Sequence, residues 1–208
     1  LLLGAVLLTL PIASADGKSA GFSDALFVST SAICVTGLST VVTAEQWSLF
    51  GQVVILLLVQ FGGLGIVTVT TTMLLVFGRR VTLSERLLIQ EAYNLDTLGG
   101  LVRVTKSVVK GTLLVEGIGA VFYFFCFVGE YGAKAVWYAV FHSVSAFCNA
   151  GLDLFGSASL VPYQTNVPVN LVTMALIITG GIGFPVWRKS RGAARDNAFP
   201  CTQRLQLQ

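Results

Sequence analysis

The chain has 208 residues, of which 54% are hydrophobic and 11% charged, and its formal net charge is +3. A mean hydropathy of +0.80 lies well outside the range of soluble domains, so the composition indicates a membrane protein. No nucleic-acid partner is expected, and no nucleophile–base pair, carboxylate dyad or metal cluster stands at a useful spacing, so the chain is not read as an enzyme.

The opening LLLGAVLLTLPIA is apolar for about 13 residues, too short to cross a hydrocarbon core of roughly 30 Å, and the chain begins without Met. It reads as a spanning helix whose start is missing. A cleaved signal peptide is the alternative, but no basic region precedes the run. Ser23 to Ala32 follows, an apolar stretch of about ten residues, the length of a re-entrant segment. Ser23 and Asp24 suit its N-cap and first turn, and it leads into SAICVTGLST at Ser31 to Thr40.

Ser48 to Phe77 is about 30 residues without a formal charge, more than a core of roughly 30 Å needs at about 1.5 Å per residue, so it must tilt, bend or break. Gly62, Gly63 and Gly65 within it are assigned to close helix packing and a hinge, because a phosphate-binding loop would need a preceding strand. Thr68, Thr70, Thr71 and Thr72 either line an inner pore or bond back to their own helix. Residues 78–110 then form a basic linker. Thr82-Leu83-Ser84-Glu85 fits a capping box, Leu83, Leu87, Leu88 and Tyr93 help an amphipathic helix begin, and Gly99-Gly100 ends it.

Gly111 to Val128 is the next apolar run and carries one charge, Glu116. An acid inside a membrane is a functional candidate by default, but with Lys110 and Arg103 nearby an ion pair that fixes helix packing is the expectation. Ala135 to Phe147 is a second short segment, uncapped, and holds the only histidine, His142. With no Cys or carboxylate at ligand spacing, that histidine is expected to be packed or hydrogen-bonded rather than to bind a metal. SAFCNAGLDL follows at Ser145 to Leu154, and a third uncharged run, Val167 to Trp187, ends against Arg188 and Lys189. Cys34, Cys126, Cys148 and Cys201 form no C-x-x-C pair and are expected as free thiols, Cys34 and Cys148 packing at equivalent positions.

The order helix, short helix, motif, helix thus occurs twice. Gly37 and Gly151 in the two motifs lie 114 positions apart, and Phe61-Gly62-Gly63-Leu64-Gly65-Ile66 matches Thr179-Gly180-Gly181-Ile182-Gly183-Phe184 at an offset of 118. Gly180, Gly181 and Gly183 therefore take the same packing or hinge role. A repeat of this kind is one structural unit used twice. The resulting division is a first unit over 1–77, a linker over 78–110, a second unit over 111–187 and a polar tail over 188–208.

Basic residues orient the chain. Arg79, Arg80, Arg86, Arg103, Lys106 and Lys110 lie in the linker, and Arg188, Lys189, Arg191, Arg195 and Arg204 in the tail, leaving only Lys18 and Lys134 elsewhere. The positive-inside rule puts linker and tail in the cytoplasm, so both motifs enter from the outer face of a multi-pass protein in the cell membrane. Non-helical backbone at that depth is tolerated only when buried in protein or lining a watery cavity, and its free carbonyls are then ligands for a desolvated alkali cation. Glycine allows successive carbonyls to face one way.

SAICVTGLST, QFGGLGIVT, SERLLIQEAYN, TLLVEGIGA and SAFCNAGLDLF, spread over most of Phe22 to Trp187, resemble the membrane subunit of the Trk/Ktr/HKT superfamily of potassium transporters, most closely that of its Ktr-type branch. The resemblance implies an all-α polytopic fold of helix-pore loop-helix units of potassium-channel type, four to a complete transporter, of which two are present. It places Val35, Thr36, Gly37 and Leu38 with Ser39, and Asn149, Ala150, Gly151 and Leu152 with Asp153, at the selectivity filter, with only the first filter glycine kept in each copy. It also implies potassium as substrate, sodium in some members, no other cofactor, and a cytoplasmic nucleotide-binding regulatory subunit as partner beside membrane lipid. The tail after Trp187 matches nothing in that family and reads as a truncated or frameshifted product, or else as a basic tail held near anionic lipid. Two chains pairing as a homodimer would supply four units. The other reading of function is an inert or structural membrane fragment without transport.

Overall fold

The computed structural model describes residues 1–65 and 101–182, the side chains of 101–105 excepted. The described residues are helical with no β-strand; a single bridge pairs Ser14 with Trp47. The helices are α1 (Leu2–Thr9), α2 (Phe22–Ile33), α3 (Thr43–Gln46), α4 (Leu49–Gly63), α5 (Leu101–Tyr131), α6 (Ala135–Phe147) and α7 (Val167–Ile182). Short 3₁₀ turns at Pro11–Ala13, Gly132–Lys134, Gly156–Ala158 and Val161–Tyr163 join them.

Local chemistry explains several boundaries. Asp24 sits in the first turn of α2, where a carboxylate meets the positive end of the helix dipole, but the N-cap is Gly21 and not Ser23, because the helix starts earlier than its polar pair suggests. Ser48 caps α4 by accepting from the Gly51 amide, and its hydroxyl donates to the Ile12 carbonyl at 2.6 Å, tying α4 to the chain before α2. The long apolar run breaks at its glycines: α4 ends at Gly63, and Gly65 takes a φ of +77° that side chains oppose. Gly132, at φ +54°, separates α5 from α6. The threonines at 68–72, Gly183, the capping box at 82–85 and the tail lie outside the described residues.

The stretch Lys106–Phe147, which the turn after Tyr131 divides, is long and apolar enough to cross a membrane, while α2, α4 and α7 are apolar but shorter over their described lengths. α5 is already helical at Leu101, ten residues before the apolar run. Outward positions are apolar, with Leu3 77% and Phe125 70% exposed, the surface of a protein solvated by lipid. Inward, α2 packs between α1 and α4, α6 packs between α5 and α7, and α4 lies against α6 across the two units. The short helices α2 and α6 are the core of each unit; Phe141 to Ser145 of α6 are all buried.

Candidate functional site: two glycine loops

Each short helix ends in the same cap. In the first, the Val35 amide donates to the Ala32 carbonyl at 3.3 Å and the Thr36 amide to the Ser31 carbonyl at 3.0 Å; in the second, Asn149 donates to Ala146 at 3.1 Å and Ala150 to Ser145 at 2.8 Å. This is the Schellman pattern, which requires a left-handed residue just past the helix. Val35 (φ 56°) and Asn149 (φ 59°) supply it. Two residues on, Gly37 (φ 77°) and Gly151 (φ 71°) are left-handed again. Positive φ at alternate residues swings successive peptide carbonyls to one side of the chain. Among the described residues no hydrogen bond engages the carbonyls of Val35, Thr36, Gly37 or Leu38, nor those of Asn149, Ala150 or Gly151. Leu152 differs, for its carbonyl accepts from Ser145 Oγ at 2.6 Å.

The loops abut. A Cβ on Gly37 would collide with the Ala150 carbonyl oxygen, and one on Gly151 would stand 3.7 Å from Gly37 Cα. Hydrogen at Gly37 is thus needed both for its backbone angle and for the approach of the facing loop. The surroundings of the two loops are unequal: Leu38 is 63% exposed, Leu152 is 3% exposed.

Both loops rest on a repeated scaffold that the motif did not reveal. Ser29 Oγ donates to the Leu1 carbonyl at 2.9 Å, and Ser143 Oγ to the Glu116 carbonyl at 2.6 Å. One turn along each entering helix a glycine makes room: a Cβ on Gly4 would lie 2.7 Å from Ser29 Oγ and 2.8 Å from Leu58, and one on Gly119 2.5 Å from Ser143 Oγ and 2.8 Å from Leu176. The outgoing helices repeat as well, since a Cβ on Gly62 would collide with the Ile33 carbonyl and one on Gly180 with the Phe147 carbonyl. These glycines bring three helices together at the last turn before each loop. Among the described residues Gly181 is freer, its nearest neighbour being Asn149 Nδ2 at 3.8 Å from a Cβ, and none lies within 4 Å of a Cβ on Gly65.

Among the described residues Glu116 pairs with no base, the side chain of Arg103 lying outside them. Lys110 is exposed, and six residues upstream puts it about 120° around the helix from the inward face that Glu116 occupies. Its Oε1 instead accepts from Gln60 Nε2 of α4 at 3.0 Å and lies 3.9 Å from Cys148 Sγ. Gln52, two turns before Gln60 on the same face, accepts from Trp137 Nε1 at 2.7 Å. The two glutamines escaped the sequence reading; polar side chains inside an otherwise apolar run were the available signal.

His142 is fully satisfied, with Nδ1 donating to the Tyr138 carbonyl at 2.7 Å and Nε2 accepting from the Leu154 amide at 3.4 Å. The ring stacks on Phe155 at 4.2 Å between centroids. Asp153 accepts from the Phe155 amide at 3.0 Å and from Ser159 Oγ at 2.6 Å, closing the turn after the loop. Tyr163, packed 5.4 Å from Phe127, donates to Glu130, and burial followed by that bond raises its phenol above the ordinary range. Cys34, Cys126 and Cys148 are free thiols. Cys148 is buried while Cys34 is exposed, so only the second takes the packing role expected of both.

The family model described as TrkH, cation transport protein, matches residues 3–191. The chain is 44% identical over 189 residues to the potassium/sodium uptake protein NtpJ of Enterococcus hirae, covering 90% of this chain and 42% of that one. It is 41% identical over 208 residues to the Ktr system potassium uptake protein B of Bacillus subtilis, covering 100% and 46%, and 42% identical over 197 residues to that of Vibrio alginolyticus, covering 91% and 43%. The chain thus spans somewhat under half the length of these curated relatives.

Proposed function

The chain belongs to the TrkH family of cation transport proteins, and on that basis we propose that it takes part in potassium uptake, with sodium as a second cation, through a filter of backbone carbonyls. It is a membrane protein and a transporter, not an enzyme. In this reading two helix-pore loop-helix units, over 1–77 and 111–187, enter a multi-pass fold from the outer face, and α2 and α6 are the pore helices. Val35 to Leu38 and Asn149 to Leu152 are filter segments. Four such loops surround an ion, so these two work with further copies of the unit, in a homodimer or in a longer chain. The relatives are named as potassium or potassium/sodium uptake proteins, two of them as part of a Ktr system. A cytoplasmic nucleotide-binding regulatory subunit is the corresponding partner proposed for the basic linker face.

The observation that carries the reading is the shared backbone of the loops: left-handed angles at 35 and 37, and at 149 and 151, with unengaged carbonyls beside a facing loop. Dehydrating potassium is costly unless oxygens replace its water, and carbonyls held by helix caps do so without net charge. The C-terminal ends of α2 and α6 add partial negative charge at the same place. Gly37→Ser and Gly151→Ser, assayed in cells without other potassium uptake, are expected to raise the KM for potassium or lower its preference over sodium by about tenfold. Unchanged uptake kinetics in both variants overturn the filter assignment.

A further inference from the structure

The helix-cap bonds and the serine seat occur in both units; the contact made by the carboxyl of Glu116 occurs in one. The residue equivalent to Glu116 in the first unit is Leu1, whose carbonyl receives the same serine hydroxyl but whose side chain is apolar. Repeated contacts build each unit. A contact present once, and made between units, sets how one unit stands against the other.

Glu116 is a junction of three helices. Its carbonyl takes the Ser143 hydroxyl of α6, and its side chain takes the Gln60 amide of α4 and lies beside the Cys148 thiol at the end of α6. Gln60 and Gly63 share a face of α4, three residues apart. A Cβ on Gly63 would collide with Cys148 Sγ, so α4 approaches the second loop as closely as its backbone allows. Asn149 follows directly on Cys148, and Ala150 meets Gly37 of the other loop.

We propose that Gln60 and Glu116 are positioning residues for the filter: their bond clamps Cys148, and through it the second loop, at a fixed spacing from the first. The proposal rests on the filter reading for its effect on ions, but the clamp itself is measurable without transport. A buried amide–carboxyl pair in a low-dielectric setting holds one geometry, because separating it leaves both groups unsatisfied. Ring selectivity depends on where carbonyls stand, so a shift of the second loop changes which cation fits.

The test uses the intact protein in its membrane. Gln60→Ala, Glu116→Ala and the volume-conserving Gln60→Met are each compared with the exchange of Gln60→Glu with Glu116→Gln. The single variants are expected to raise the KM for potassium and to lower its preference over sodium, each by about tenfold, at unchanged membrane abundance, and the exchange to restore both to within about twofold. With Cys34, Cys126 and Cys201 replaced by Ser, maleimide labelling of Cys148 is expected to rise by about tenfold in the same single variants. Unchanged kinetics and unchanged labelling in Gln60→Met overturn the clamp. If the unaltered protein shows no saturable cation uptake, the filter reading falls instead, and labelling alone decides whether the clamp exists. If labelling rises while KM and selectivity stay constant, the clamp holds but its role in positioning the filter is overturned. If an alanine variant is lost from the membrane, Gln60→Met decides the matter.

Discussion

The two loops have one backbone and two kinds of support. Each leaves its helix through the same cap and carries left-handed residues at the same places. Around the first loop, the Thr36 hydroxyl meets Ser31 Oγ at 2.9 Å and the Ser39 hydroxyl bonds the Val41 carbonyl at 2.6 Å, and Leu38 between them is exposed. The second is held by Ser145 on Leu152, His142 on Leu154, Asp153 on Ser159, and an aromatic cluster around Phe155. Identical local geometry therefore does not mean identical restraint. Backbone angles come from the cap and the glycines, whereas rigidity comes from neighbours that the repeat does not share.

The comparison breaks most severely if the shared scaffold proves dispensable. Gly62→Ala and Gly180→Ala put a methyl group into a carbonyl oxygen of the neighbouring helix, and each is expected to cost about 3 kcal/mol or more of stability, read as lost thermal resistance of the detergent-solubilised protein. Gly180→Ala is expected to be the worse, its Cβ being the nearer to the carbonyl. Tolerance of either change means the helices part easily there, and the shared seat is not what holds the loops.

A smaller effect sharpens the difference in support. His142 corresponds to Val28, which is buried in the first unit. His142→Val, which makes the second helix like the first, frees the Leu154 amide and removes the stack on Phe155, an expected loss of about 1–3 kcal/mol. Amide exchange at Leu154 and Phe155 is expected to accelerate, with that at Val35 and Thr36 unchanged. Equal acceleration in both loops would mean that they are not independently restrained.

The smallest effect concerns the helix caps themselves. Val35 holds a left-handed angle that a β-branched side chain resists, whereas Asn149 holds it easily. Val35→Asn is expected to stabilise by about 1 kcal/mol and Asn149→Val to destabilise by a similar amount. Thermal shifts of opposite sign in the two variants support the equivalence of the sites; shifts of the same sign deny it.

The short helices and both loops were legible in the sequence because their signals are local: apolar runs of re-entrant length, a motif used twice, glycine where the backbone must turn left-handed. α2 and α6 fall within a residue or two of the stretches from Ser23 to Ala32 and from Ala135 to Phe147. The satisfied state of His142 also followed from local sequence, which offers it no metal-ligand companion. Contacts between distant segments were hidden. Nothing near Gly4 or Gly119 announces that a serine of the short helix will rest against it, and nothing near Glu116 points to Gln60, 56 positions earlier. Lys110 was misleading because nearness along a helix says little about facing. Aligning the two units past their motifs, so that Ser29 falls on Ser143 and Gly4 near Gly119, was the missing step.

The seat that Ser29 and Ser143 make recognises a main-chain oxygen and nothing else of the residue that owns it. Such a contact leaves the choice of amino acid open, provided the glycine one turn away keeps the helices close. Leucine occupies the seat in one unit and glutamate in the other without altering it. The side chain there is a freedom that the architecture does not constrain, available for a task one copy acquires and the other never shares.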